Sequence, residues 1–386
     1  MKIPVKYNVR SLLVRRTGTV MTALGIGLTV GIVVVMLAMV RGLDMTFIET
    51  GDPQNLVVIR KGSANEVNSY FSRTLFETVR FLPGVARSST DEPEAAGEIL
   101  VVINHKRKDG SDSNVIVRGT SEMGFRLRPD VRIVEGRNFR AGLRELIVSR
   151  ALEHRFADLG VGQSVEIDNV DWRIVGTFVT SGGAYDSEIW TGYQDVAQVW
   201  RRPIYSAILL RAESLDDAQE LIKRISDDQR VQLDALHQDK YYADQTFASS
   251  IGLKVLASLI AVIMAIGSCF AVMNMMYGAV SSRQQEVATL RALGFRKRSI
   301  LASFLLESAV LALIGGAVGC LLGSLFNGYS AGTANLASFS ELVFNFRVTP
   351  DILLLGMVFA LFMGLVGGLL PARRASKVRL IDVLRQ

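Results

Sequence analysis

SSRQQEVATLRALGFRKRS, residues 281–299, is a basic, amphipathic stretch set between two long apolar runs. Helical spacing places Leu290 and Leu293 on one side, with Val287 three residues before Leu290. Arg283, Glu286 and Arg291 add polar groups suited to docking. Gly294 stands where a helix C-cap belongs, and Arg296, Lys297 and Arg298 anchor the next apolar run at lipid headgroups. Two readings are open on these residues alone. The stretch is a positive loop that touches only lipid, or a short helix held at the membrane face for another protein to engage.

The apolar residues are concentrated rather than abundant. They make up 49% of 386 residues, a length that accommodates two or three domains. Residues 17–40, 251–280, 300–326 and 352–370 each suffice to cross about 30 Å of hydrocarbon, which predicts four transmembrane helices. The second run is longer than a bilayer needs, so it projects or tilts. The first run follows a basic leader (Lys2, Lys6, Arg10, Arg15, Arg16), as a secretory signal would. It exceeds the roughly 7–15 apolar residues of a signal, and no small-x-small cleavage site follows.

Charge orients the spans. Cations gather in the leader, in 281–299 and in the tail (Arg373, Arg374, Lys377, Arg379, Arg385), whereas 327–351 carries Arg347 against Glu341 and Asp351. The positive-inside rule then puts both termini and 281–299 in the cytoplasm, with 41–250 and 327–351 outside. The net charge of +6 therefore points to anionic lipid at the inner face and not to nucleic acid. Cys269 and Cys320 both fall inside spans, so the external segment depends on its own core for stability.

That segment is soluble in composition. Strands are expected at 55–61, 99–104, 114–119, 206–211 and 231–236, and helices at 68–82 and 215–225. Lys108-Asp109-Gly110 marks a hairpin turn, and Pro83-Gly84 ends the first helix. Residues 131–200 read as an inserted, mostly β subdomain. It holds a short helix at 149–156 and strands at 165–167 and 172–179 about the Asp168–Asp171 turn. The expected fold is thus an α-helical membrane protein of four transmembrane helices with a large external α+β domain, a split α+β subdomain plus this β-rich insertion.

Three stretches resemble a known family. EVATLRALGFRKRSILASFLLES (286–308), LLPARRASKVRLIDVLR (369–385) and NVRSLLVRRTGTVMTALGIGLTVG (8–31) are similar to the permeases of the MacB/FtsX-like group of ABC transporters. The order of one span, a large external domain and three further spans fits as well. Within the domain, Val161-Gly162-Gln163 and WRIVG (172–176) resemble it more weakly. The resemblance implies a dimer of permeases with two ATPases below. Arg283, Glu286, Val287, Leu290, Arg291, Leu293, Gly294 and Phe295 would form the coupling helix seated on the motor. Some relatives carry the ATPase on the same polypeptide, but G-x-x-x-x-G-K-[ST] is absent here, so the expected motor is a separate subunit that uses ATP and Mg.

Other residues were weighed for chemistry. Gly27 and Gly31, Gly315, Gly319 and Gly323, and Gly364 and Gly368 recur every four residues and predict close helix packing. Glu307 lies about two turns into the third span, and a position near the cytoplasmic headgroups, paired with a basic neighbour or pointing along the interface, explains it better than a proton relay, because the spans hold almost no other ionisable group. His105, His154 and His237 lack metal-ligand spacing. Ser181-Gly182-Gly183 reads as a loop rather than a nucleophile elbow. Met273, Met275 and Met276 read as bundle packing, and residues 3–13 as an amphipathic helix on the inner leaflet. No catalytic, metal or cofactor residue is expected on this chain.

The reading taken forward is the membrane subunit of an ATP-driven mechanotransmission exporter in the inner membrane. Its expected organisation is leader 1–16, spans 17–40, 251–280, 300–326 and 352–370, external domain 41–250, coupling helix 281–299, short external loop 327–351 and tail 371–386. Expected partners are an ABC ATPase, a second copy of this or a related permease, the lipid bilayer, and a periplasmic adaptor with an outer-membrane channel. Drugs, peptides, lipids or lipoproteins are the cargo classes, and the alternative is control of an external cell-wall hydrolase. A membrane-anchored enzyme is the rival from another class, and residues 45–247 offer it no convergent polar constellation.

Overall fold

The computed structural model describes residues 16–48, 51–181, 183–201, 203–334 and 338–377. The rest of the expected leader and the tail from 378 onward lie outside the described residues. The chain divides into two units: residues 1–41, 253–329 and 346–386, and residues 42–252 and 330–345.

The first unit is helical. Among the described residues four helices are long and apolar enough to cross a membrane, spanning Thr17–Thr46, Ser250–Ser281, Lys297–Ser324 and Pro350–Ser376. They belong to α1 (Arg16–Ile48), α7 (Gln238–Ser281), α9 (Lys297–Ser324) and α10 (Pro350–Ser376). α7 has 44 residues, about 66 Å at 1.5 Å per residue and so twice a bilayer's core. α10 runs through Pro371 to Ser376, so the last span does not stop at 370. Val30 and Val34 of α1, Val272 and Met276 of α7, Leu311 of α9 and Met363 of α10 meet in one core.

Glycine sets how closely these helices approach. A Cβ on Gly319 would lie 2.5 Å from the Gly27 carbonyl oxygen and 2.7 Å from Val30 Cβ. One on Gly315 would lie 2.8 Å from the Ala23 carbonyl oxygen, and one on Gly323 2.5 Å from Val34 Cγ1. Gly27 and Gly31 face Gly315 and Gly319 from the other side, so α1 and α9 touch backbone to backbone. Gly364 and Gly368 press on Ala312 and Ser308 of α9, and Gly367 presses on Cys269 and Val272 of α7. A Cβ at each of Gly27, Gly31, Gly315, Gly319, Gly323, Gly364 and Gly368 would meet a neighbouring helix within 4 Å. Gly316, Gly356 and Gly367 join them.

The second unit is α+β. Its strands are β1 (Asn55–Arg60), β2 (Phe71–Ser72), β3 (Ala95–Lys106), β4 (Asp112–Thr120), β5 (Arg132–Gly136), β6 (Glu145–Ser149), β7 (Ser164–Ile167), β8 (Val170–Val179), β9 (Glu188–Gly192), β10 (Ile204–Tyr205), β11 (Ala207–Arg211), β12 (Leu233–His237), β13 (Ser330–Ala334) and β14 (Glu341–Asn345). Its shorter helices are α2 (Arg73–Val79), α3 (Glu122–Arg126), α4 (Arg150–Arg155), α5 (Tyr193–Val199) and α6 (Leu215–Asp227). Strands β12-β1-β11-β3-β4-β9-β6-β8-β5 run side by side in one sheet, and β7 pairs with β8. Asp168 and Asn169, at φ +55° and +58°, turn β7 into β8, the left-handed geometry that suits a two-residue hairpin.

Two cores lie along this sheet. Leu56, Phe76, Ile208, Leu210 and Leu221 centre one. Val115, Val148, Trp172, Ile174 and Ile189 centre the other. The second core takes in Ile99 to Val117 as well. The β-rich part therefore begins near residue 99 rather than 131, because β3 pairs with β11 by its first half and with β4 by its second. The helix expected over 68–82 is only α2, since Phe71 and Ser72 pair with Tyr205 and Ile204 as strands.

A further difference concerns the short external loop. Residues 330–345 form the hairpin β13–β14 and belong to the external unit. Glu341, with a fully buried side chain, meets Arg107 at 2.9 Å and Arg155 at 2.7 Å. The Val343 N–H donates to Ser187 Oγ at 2.7 Å, and Val343 enters the second core.

Buried charge ties the two cores together. Arg118, fully buried on β4, meets Glu98 at 2.5 Å, Glu188 at 2.7 Å and Glu66 at 3.1 Å. Arg128 grips Glu98 with both terminal nitrogens, at 2.6 and 2.7 Å. Tyr185 stacks under both guanidinium groups, 5.3 Å from Arg118 and 4.8 Å from Arg128. Burial opposes the charge on Glu98, but Arg128 and Arg118 outweigh it and hold its carboxyl down at about 2. Burial pushes Glu188 the other way, above its ordinary value, although Arg118 and Trp190 both bond it.

Two predictions follow from these contacts. Gly319→Leu should lower the thermal stability of the detergent-solubilised protein by about 1–3 kcal/mol through overpacking. Gly267→Ala in α7, where a Cβ meets nothing within 4 Å, should leave it unchanged. Equal melting of both variants would dismiss the packing role. The second concerns acid. Because the Glu98 carboxyl drops from 4.5 to about 2 on folding, its contribution is full above pH 4.5 and is lost as pH falls toward 2. Glu98→Gln should cost about 3–5 kcal/mol at pH 7 by removing the carboxylate that buried Arg128 grips, while Arg118 keeps Glu66 and Glu188. That gap should shrink below pH 4.5 in tryptophan-monitored unfolding. A gap independent of pH would contradict the assignment.

Candidate functional site

Between the second and third spans lies α8 (Gln284–Ala292), shorter than the stretch 281–299. It ends as the sequence predicts. Gly294 takes φ +89°. The Phe295 N–H donates to the Leu290 carbonyl at 3.1 Å and the Gly294 N–H to that of Arg291 at 3.1 Å. This six-to-one and five-to-two pair is a Schellman cap.

The start of α8 is fixed by charge. Arg283 Nη1 donates to Glu307 Oε2 at 3.2 Å, and Arg283 Nε lies 3.6 Å from Glu286. Glu307 is 3% exposed, so its carboxylate has a basic partner in place of water. That is the pairing expected from sequence, now with its partner named. The signal was available: Arg283 closes one span and Glu307 lies two turns into the next, at similar depth.

The predicted contact residues divide into two sets. Val287 is 3% exposed and belongs to the bundle core with Ile300 and Phe304, so it holds α8 to the membrane unit and is not available to a partner. Arg283 is also turned inward, with a side chain 14% exposed. Leu290 is half-buried and shares a small hollow with Ser303, Phe304 and Glu307. Leu293 is 67% exposed, on the outer side. Glu286 and Gly294 are exposed, and Arg291 and Phe295 are half-buried. The outward set is therefore Glu286, Leu293 and Gly294, with Arg291 and Phe295 at its margin. The heptad-like spacing misassigned Val287 because both faces of this helix carry apolar residues, and only the fold decides which is inside.

The other candidates take ordinary places. Met276 is fully buried in the bundle core and Met275 packs against it. His105 bonds the Ala157 carbonyl oxygen at 2.9 Å and His237 that of Pro53 at 2.8 Å, and His154 is exposed. Among the described residues no group of His, Cys, Asp or Glu is placed to hold a metal ion. The buried cluster of Arg118, Arg128 and Glu98 was not singled out from sequence. Its signal lay in GEIL (97–100), IVRG (116–119) and SEIW (187–190), each with one charge inside an apolar strand.

Comparison with known proteins agrees with this layout. Residues 19–228 match the model of the MacB-like periplasmic core domain, and residues 258–380 that of the FtsX-like permease C-terminal. An uncharacterized ABC transporter permease, YknZ of Bacillus subtilis, is 24% identical across 99% of this chain and 98% of its own length. The macrolide export ATP-binding/permease protein MacB of Brucella abortus is 26% identical across 97% of this chain. The chain spans 59% of that relative's length. Two solved structures are also similar. The extracellular domain of YknZ covers 47% of this chain and 100% of itself, at 14% identity and a TM-score of 0.36. The periplasmic region of MacB from Actinobacillus actinomycetemcomitans covers 48% of this chain and 90% of itself, at 10% identity and a TM-score of 0.37. Matched from its first span to its fourth, the chain belongs to the MacB/FtsX-like family of ABC transporter permeases.

Proposed function

We propose that this chain is the membrane-spanning subunit of an ATP-driven exporter that works by mechanotransmission. A separate ABC ATPase would bind and hydrolyse ATP with Mg, and no cofactor would reside on this chain. Both termini and α8 would face the cytoplasm, and two permeases would work as a pair. The observation that carries this reading is α8 itself. It is a short helix fixed at its start by Arg283 and at its end by the Gly294 cap, with Leu293 turned outward. A push on such a helix passes into the spans that hold it.

Export of drugs, peptides, lipids or lipoproteins, with an adaptor and an outer-membrane duct, is the reading we adopt, since relatives that span nearly the whole chain are macrolide exporters. The FtsX-like match over 258–380 is equally compatible with a second outcome, control of an external cell-wall hydrolase. A deletion strain separates them. Export predicts sensitivity to toxic compounds with normal division, and hydrolase control predicts chained or lysing cells.

The coupling role is tested on the outward face. Leu293→Asp should cost about 2 kcal/mol or more of motor binding, as for a buried anchor. Glu286→Ala should cost less, about 0–1 kcal/mol, as exposed ion pairs do. Co-purification from membranes followed by ATPase measurement reads both. Full recovery of the motor with unaltered coupled activity in Leu293→Asp would replace this role with that of a lipid-facing loop. Topology has its own check: a reporter active only in the cytoplasm should work after Gln386 or near Arg296 and be silent near Asp112. Activity at Asp112 would invert the orientation.

A further inference from the structure

The spans do not close on one another along their whole length. Nearer α8, α7 is held to the bundle, where Val272 and Met276 enter the core and Gly367 of α10 presses on Cys269. Toward the other end of the span a groove of about 430 Å³ opens among α1, α7 and α10. Its lining is spread over Val33–Val40, Lys254–Ala261 and Leu355–Phe362. Each stretch rises about 10 Å at 1.5 Å per residue. One leaflet supplies about 15 Å, half the hydrocarbon core, so the groove fits within a single leaflet and is not a path across the bilayer.

The walls are unequal. α7 offers the short side chains of Ala257, Ser258 and Ala261, and α10 the rings of Phe359 and Phe362. The Ser258 hydroxyl donates to the Lys254 carbonyl oxygen at 2.8 Å within its own helix, so that wall is apolar in effect. Leu355, Val358 and Phe362 are exposed, so the groove is open to whatever surrounds the helices. Around a membrane span that is hydrocarbon. An empty groove forfeits dispersion contacts along its lining. A lipid tail, as apolar as leucine, fills it with no polar group to desolvate. Water finds no set of polar partners there to hold it.

Lys254 is the one charged residue among the described lining, and on α7 it stands at the end of the groove farthest from α8. A lysine stem lies along apolar surface while its ammonium reaches the headgroup level. An ammonium has three donors, so a bond within the chain leaves others for a phosphate oxygen. An apolar trough no deeper than one leaflet, with a cation at its mouth, is the complement of a molecule with a hydrocarbon tail and a phosphate head. We propose that the groove binds one phospholipid of the surrounding leaflet, with an acyl chain among α1, α7 and α10 and the phosphate at Lys254. Giving a methylene the share of a water, about 30 Å³, the groove holds about fourteen such groups, which is one acyl chain. An anionic headgroup is preferred over phosphocholine, which carries an ammonium that Lys254 repels. In the orientation proposed above this is the outer leaflet. The binding itself does not rest on that orientation, on the coupling role of α8 or on the cargo.

The test uses the full chain in mild detergent and native mass spectrometry, which counts bound lipids and copies of the chain together. Palmitoyl-oleoyl phosphatidylglycerol and palmitoyl-oleoyl phosphatidylcholine are the probes. One phosphatidylglycerol per chain should rebind saturably after delipidation, about fivefold tighter than phosphatidylcholine, the preference that one cation near a headgroup confers. Lys254→Gln should erase that preference and leave both lipids bound. Ala261→Phe and Val358→Trp each fill the groove from its lining and should abolish the retained lipid. Val358 is already exposed, so its variant decides the matter if Ala261→Phe does not fold. Val262→Phe, the next residue of α7 but outside the lining, should bind lipid as the unaltered chain does. Lipid held equally by the unaltered chain and both filled variants, or lost equally from Val262→Phe, would overturn the proposal and make the groove an ordinary boundary surface. A lipid-free dimer that Val358→Trp splits into single chains would also overturn it, and would assign the groove to a second copy.

Discussion

Inside a bilayer an apolar side chain gains nothing by leaving lipid for another side chain, so helices must cohere by shape. In this protein that shape is supplied by the bare backbone of α1 and α9, which meet at Gly27, Gly31, Gly315, Gly319 and Gly323. α10 then settles on α9 through Gly364 and Gly368, and on α7 through Gly367. α8 hangs from this arrangement. Val287 sits in the same core as Phe304 of α9, and the Arg283 ion pair reaches Glu307 on that helix. The helix is thus fixed to the bundle on one side and exposed at Glu286, Leu293 and Gly294 on the other.

The external unit solves a different problem. It has water around it and two hydrophobic cores to join along one sheet. Arg118 and Arg128 sit among Glu66, Glu98 and Glu188, so charge neutrality inside the protein depends on strands from both parts being in register. An apolar junction would tolerate a slip of one part against the other. An ion-paired junction with this many bonds does not, since each broken pair strands a charge away from water.

Much of this was legible beforehand, and the reasons are physical. The spans show because hydrocarbon imposes length and composition. The glycines show because their spacing matches a helix face, and a turn within 168–171 shows from its polar residues, although the structure narrows it to Asp168 and Asn169. What sequence could not resolve was which side of a two-sided helix is buried: Val287 and Leu293 are equally apolar, yet one is in the core and the other exposed. The charge cluster was hidden for a related reason. Glu98 and Arg118 face each other across neighbouring strands, but Glu66 and Glu188 arrive from far along the chain, and each alone looks like a surface residue. The hairpin 330–345 reads as a plain loop from sequence because Ser330–Ala334 holds only small residues, with no alternation of large apolar side chains.

That hairpin also imposes an order on synthesis. Arg155 waits for Glu341, 186 residues later in the chain. At translation rates of about 5–20 residues per second the delay is about 10–40 s. In that interval the third span must emerge and enter the membrane before β13–β14 can be delivered. The external unit is thus begun before the third span and completed after it. Until then Arg107 and Arg155 lack their buried carboxylate, and the second core lacks Val343. Completion of the external unit therefore waits for chain that lies beyond the third span.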